Sequence, residues 1–102
     1  MPMSIEIDKA MKITNEIREI ATHSVGGLRD DATLKRLSVL LSSLRHIVGT
    51  GPAYDEIPIL ESWCDKYFSP RKHLKHPGGL QMIQVQILTC LNDIEYDLSE
   101  RA

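Results

Sequence analysis

An all-α fold, an antiparallel four-helix bundle, is predicted by three features of this sequence. Apolar residues recur every three or four positions in four separate stretches, the mark of helices that bury one side. Glycine and proline separate those stretches, at Gly26-Gly27, between Gly49 and Pro52, and between Pro70 and Gly79, where helices end and chains turn. No two segments alternate well enough to pair as strands. The helices are expected at about 4–25, 31–48, 57–69 and 79–98, with short connections that make neighbours antiparallel. An all-α array in which the third helix crosses the others is the close alternative.

The first helix is expected to open at Ser4 as N-cap. Met3, Ile7, Ala10, Ile13, Ile17, Ile20, Ala21 and Ser24 then share one side, with Lys9, Lys12, Asn15, Glu16 and Glu19 on the other. Asp8 and Lys12 form a favourably ordered i,i+4 pair worth about 0.3–0.5 kcal/mol. Gly26-Gly27 is expected to stop the helix, because glycine takes the left-handed C′ conformation cheaply.

Asp30 or Asp31 caps the second helix, where a carboxylate also suits the positive end of the macrodipole. Leu34, Leu37, Leu40, Leu41, Leu44, Ile47 and Val48 form its stripe, and Gly49 ends it. Arg45 and His46 occupy the last turn, where cations are mildly favoured. The third helix is expected to be shorter, with Pro58 in its first turn. Ile57, Leu60, Trp63, Cys64, Tyr67 and Phe68 line one face, and Pro70 forces an exit.

The fourth helix carries its main stripe on Leu80, Ile83, Ile87, Cys90, Leu91, Ile94 and Leu98. The segment QMIQVQIL also alternates like a strand, but a lone strand would leave its backbone groups unsatisfied. Almost opposite the main stripe, Met82, Val85, Thr89 and Tyr96 follow at helical spacing, with Leu88 on one flank. A helix apolar on two sides is either central in its domain or buried against another chain. Four helices in about 100 residues leave little room for a fully enclosed one. Met82, Val85, Leu88 and Tyr96 are therefore candidate partner-binding residues. Gln81, Gln86, Asn92 and Asp93 supply the polar rim that non-obligate interfaces show.

At 102 residues, with 42% hydrophobic and 25% charged residues, the chain is expected to form one globular domain, 1–102. A net charge of −2 provides no global cationic field for nucleic acid or anionic lipid. No apolar run approaches the roughly 20 residues of a membrane span. The N-terminal residues lack the pattern of a signal peptide. Two cysteines, Cys64 and Cys90, fall within apolar stripes and are expected to be free thiols in a reducing, cytoplasmic compartment.

Catalytic signatures are missing: the sequence contains no phosphate-binding glycine loop, nucleophile elbow, H-E-x-x-H pair or thiol quartet. His23 and His46 fall on polar helix sides, away from any sheltered site. His73 and His76 lie between Cys64 and Cys90, but the intervals match no usual zinc spacing. No metal, cofactor or enzymatic activity is expected.

One stretch, SPRKHLKHPGG at 69–79, concentrates charge. Arg71, Lys72, Lys75 and His76 precede the start of the fourth helix, whose unpaired N–H groups attract anions. An anion- or nucleic-acid-binding loop is one reading; a solvated connector, with Asp65 or Glu61 neutralising some charge, is the other. The expected function is a small interaction protein, regulatory or adaptor-like. It would bind another protein or its own copy as a homodimer through the fourth helix, and the loop would steer an acidic surface into place.

Overall fold

The computed structural model describes residues 2–24, 26 and 28–101, with the side chains of residues 2–4, 73 and 74 outside that description. Four helices, α1 (Pro2–His23), α2 (Asp31–Val48), α3 (Pro52–Tyr67) and α4 (Gly79–Arg101), form an all-α four-helix bundle. A short 3-10 helix, Lys72–Lys75, lies in the last connection. Each helix packs on its neighbours in a ring: α4 on α3 and α1, and α2 on α1 and α3. The neighbours α1 and α4 run in opposite directions. Thr14 and Arg18 of α1 reach Glu95 of α4, whereas Ala21, later in α1, accepts from Gln84, earlier in α4. The bundle measures 45 × 26 × 20 Å.

The apolar stripes meet at its axis. Ile17, Leu44, Ile57, Leu60, Ile83, Ile87, Leu91 and Ile94 have no exposed surface. Each such side chain contributes about 1.5–3 kcal/mol by leaving water. The helical reading of QMIQVQIL holds: Ile83 and Ile87 are buried one turn apart, while Val85 faces outward.

Several boundaries differ from expectation, each for a local reason. The chain is already helical at Pro2, so Ser4 lies inside α1 rather than capping it. At the other end α1 stops at His23, where the Ser24 N–H still bonds the Ile20 carbonyl at 2.9 Å. Gly26 serves close approach instead of helix termination. A Cβ there would stand 2.6 Å from the Tyr67 ring. Gly27 and Met3's side chain lie outside the described residues. Asp8 and Lys12 form no ion pair; in α1, Glu16 pairs with Arg36 and Arg18 with Glu95.

Asp30 is the N-cap of α2, accepting from the N–H groups of Ala32 and Thr33. Gly49 caps its C-terminus at φ 77° and donates its N–H to the Arg45 carbonyl. The largest correction concerns α3, which begins at Pro52, five residues before the expected start, and places Pro58 in its interior. Gly51, at φ 99°, has no side chain to cap the helix. Asp97 of α4 supplies the cap instead, accepting from the Ala53 N–H at 3.2 Å. Beside it, Arg101 donates to the carbonyls of Val48 and Thr50 and pairs with Asp97 at 2.9 Å. These anchors carry α4 on to Arg101, past its expected end at 98. One pair of side chains thus closes both α2 and α3.

Candidate functional site

α4 turns two different sides outward and inward. Its inner side, from Ile83 to Leu98, is fully packed, and half-buried Leu80 and Leu88 rest against the same core. Its outer side exposes Met82 (42%), Val85 (47%) and Tyr96 (71%). Of the four candidate partner-binding residues, three are therefore free to be covered, and Leu88 belongs to the flank. Ile5, Leu28, Val39, Tyr54 and Ile59 are also exposed; Tyr54 and Ile59 share α3, and the others stand singly.

Spacing orders the outer side further. Met82, Thr89 and Tyr96 stand seven residues apart, and Val85 and Asn92 fall between them at three-residue offsets. Such alternation of three and four places a narrow seam along one line of a helix. The stretch 77–92 contains no charged residue and no histidine, although Gln81, Met82, Val85, Thr89 and Asn92 are all exposed. Charge depletion at an exposed surface is the compositional mark of an interface centre. Two polar members already have partners at home: Thr89 Oγ1 donates to the Val85 carbonyl at 2.9 Å, and Asn92 Oδ1 accepts from Arg18 at 3.0 Å.

On the α1 side of α4 lies a polar cluster that sequence reading missed. Thr14 is fully buried. Its hydroxyl lies 2.7 Å from Glu95 Oε2 and 2.9 Å from the Met11 carbonyl; the carboxylate is the stronger acceptor. Arg18 donates to both Glu95 oxygens, at 2.5 and 3.0 Å. Burial pushes the Glu95 carboxyl up, yet the hydrogen bonds from Arg18 and Thr14, with the guanidinium charge, hold it below the ordinary range. The only available signal was a threonine at an apolar position of α1 and a carboxylate on α4, and neither names its partner.

The basic loop is less open than its composition suggests. Lys72 reaches back to Asp65 at 2.5 Å, and its N–H is 3.3 Å from Ser69 Oγ. His76 is half-buried, edge-on to Trp63 with ring centres 5.2 Å apart, while Lys66 covers Trp63 at 4.6 Å. The Gly79 N–H, which would have faced an anion, bonds the His76 carbonyl at 3.0 Å. Glu61 is engaged elsewhere, with Arg45 at 2.8 Å. Arg71 and Lys75 remain exposed and outside any ion pair among the described residues.

Cys64 and Cys90 are free and buried. Desolvation, followed for Cys64 by the nearby Cys90 and Glu61 and for Cys90 by a hydrogen bond to Glu56 and the charges of Glu56 and Asp93, pushes each thiol up to about 12. His23 and His46 are exposed. No three His, Cys, Asp or Glu side chains converge as for a metal among the described residues, and no helix there is long and apolar enough to cross a membrane. The principal concavities are open grooves away from the outer side of α4. One of about 520 Å³ is lined by Leu28, Arg29, Asp31 and Phe68, and another of about 420 Å³ by Lys9, Ser42 and His46.

The chain matches no protein-family model, no curated protein and no solved structure.

Proposed function

We propose that this chain is a non-enzymatic interaction module that binds another protein, its own copy included, through the outer side of α4. One observation carries the reading: Met82, Val85 and Tyr96 stand exposed on one line of a helix whose opposite side is wholly buried. Covering what remains exposed of Val85 or Met82 contributes about 1 kcal/mol each, and aromatic and methionine anchors within a polar rim suit a regulatory or adaptor-like contact. Arg71 and Lys75 at the start of α4 guide an acidic surface, acting on association rate more than on affinity. Two free thiols, inert by burial, suit a reducing, cytoplasmic setting.

Nucleic-acid binding through the loop draws less support. With Lys72 paired to Asp65 and His76 packed on Trp63, Arg71 and Lys75 are the exposed cations outside an ion pair among the loop's described residues, and phosphate-backbone binding scales with the number of charges neutralised.

The test is capture from the native cell with the wild-type chain and with the Val85→Asp, Tyr96→Ala variant, together with solution mass. The variant should keep its helical circular dichroism and lose its partner or its self-association. A folded variant that retains both would refute the interface. Replacing Arg71, Lys72 and Lys75 with Ser should slow association at low salt; an unchanged rate would leave the loop a connector.

A further inference from the structure

We infer that the outer side of α4 pairs with the same side of a second copy, antiparallel, about a two-fold axis near Thr89. The inference rests on the interaction reading above and names its partner. The two ends of this side carry opposite charge. Arg71 and Lys75 stand before the N-terminal end, whereas Glu100 is exposed near the C-terminal end and outside any ion pair among the described residues. Between them runs the charge-free stretch 77–92.

A surface of that kind complements itself in one orientation. Antiparallel pairing brings each cationic end to the partner's anionic end, and parallel pairing would set like against like. A two-fold axis is also the commonest symmetry of homo-oligomers and requires such self-complementarity. Thr89 lies midway between Met82 and Tyr96, so an axis there sets Met82 of one copy near Tyr96 of the other, a favourable sulfur–aromatic contact. With its hydroxyl bonded to the Val85 carbonyl, Thr89 turns toward the axis no donor that burial would strand.

Area limits the strength. α4 is about 34 Å long and about 10 Å wide, less than the roughly 800 Å² per partner of a standard interface even with its flanks. The dimer therefore belongs to the class of small, transient interfaces.

Sedimentation equilibrium of the full chain from about 5 to 500 μM should carry the mass from 11.5 kDa towards twice that value. A chain monomeric throughout would overturn the dimer. Val85→Asp should weaken association about tenfold or more while circular dichroism stays helical. Orientation is read by oxidation of single-cysteine variants, since Cys64 and Cys90 are buried. Thr89→Cys should cross-link to itself. Met82→Cys and Tyr96→Cys should do so only when mixed with each other. Self-cross-linking of all three alike would mean parallel pairing, and cross-linking of none in a dimeric chain would mean another face; either result overturns the inference. The two readings fail separately. A strictly monomeric chain whose Val85→Asp variant loses a captured protein removes the dimer and keeps the interaction module. Dimerisation and partner capture that are both untouched by Val85→Asp and Tyr96→Ala remove both.

Discussion

Arg18 of α1 holds Glu95 of α4 with both terminal guanidinium nitrogens, and 77 residues of chain separate the two. The pair is partly sheltered, with side-chain exposures of 28% and 23%, and Thr14 completes the carboxylate's hydrogen bonds from below. This cluster ties the first helix to the one that carries the candidate surface. Several consequences of the packing are measurable.

Stability should fall as acid is added, with Glu95 a contributor. Its carboxyl sits below the ordinary 4.5 in the folded chain, so its contribution is present above about that pH and lost as pH drops through the lower folded value. Arg18→Ala should cost about 1–2 kcal/mol at pH 7, at the modest end because water still reaches the pair. It should also flatten the acid limb of stability against pH, since only the Thr14 hydrogen bond is then left to oppose the desolvation that raises Glu95. Urea titrations from pH 3 to 7 would read both effects; an acid limb unchanged in Arg18→Ala would contradict the assignment.

At the alkaline end the order reverses. The two thiols ionise near 9.0 when unfolded and near 12 when folded, so the folded state loses stability as pH rises through that interval. Native chain at pH 8 should leave both cysteines unreactive towards a thiol reagent, and denatured chain should release two equivalents. Rapid labelling of the native protein would mean that the core opens easily.

Gly26→Ala should destabilise by about 1–3 kcal/mol, because its Cβ meets the buried Tyr67 ring rather than a flexible chain end. Gly49→Ala makes a useful contrast. Space is open there, and the cost of about 1–2 kcal/mol comes only from holding alanine at φ 77°. Adding Tyr67→Ala should restore much of the Gly26→Ala loss relative to Tyr67→Ala alone and none of the Gly49→Ala loss, which a double-mutant cycle by thermal melting measures.

Pro58 lies inside α3 on its exposed side, where it denies the Tyr54 carbonyl a helical N–H. Pro58→Ala should raise stability by about 1 kcal/mol or more, up to the roughly 3 kcal/mol that an interior proline costs. A destabilised variant would show that the proline ring packs usefully.

How far the chain could be read alone differs from element to element. Ile83, Ile87 and Leu91 were legible as core because their spacing is a local property of one helix, and Asp30 and Gly49 because a cap needs only its own few neighbours. The start of α3 was not legible: its cap, Asp97, lies 44 residues away on another helix. Nor could composition tell that Lys72 would close on Asp65, or that His76 would lie against Trp63. Periodicity marked α4 as apolar on two sides; whether Met82, Val85 and Tyr96 were hidden or open depended on which helices stood beside it. Repeats of 3.6 residues are written into the covalent order of the chain. Partners drawn together across the bundle exist only once all four stripes have been buried at the same time.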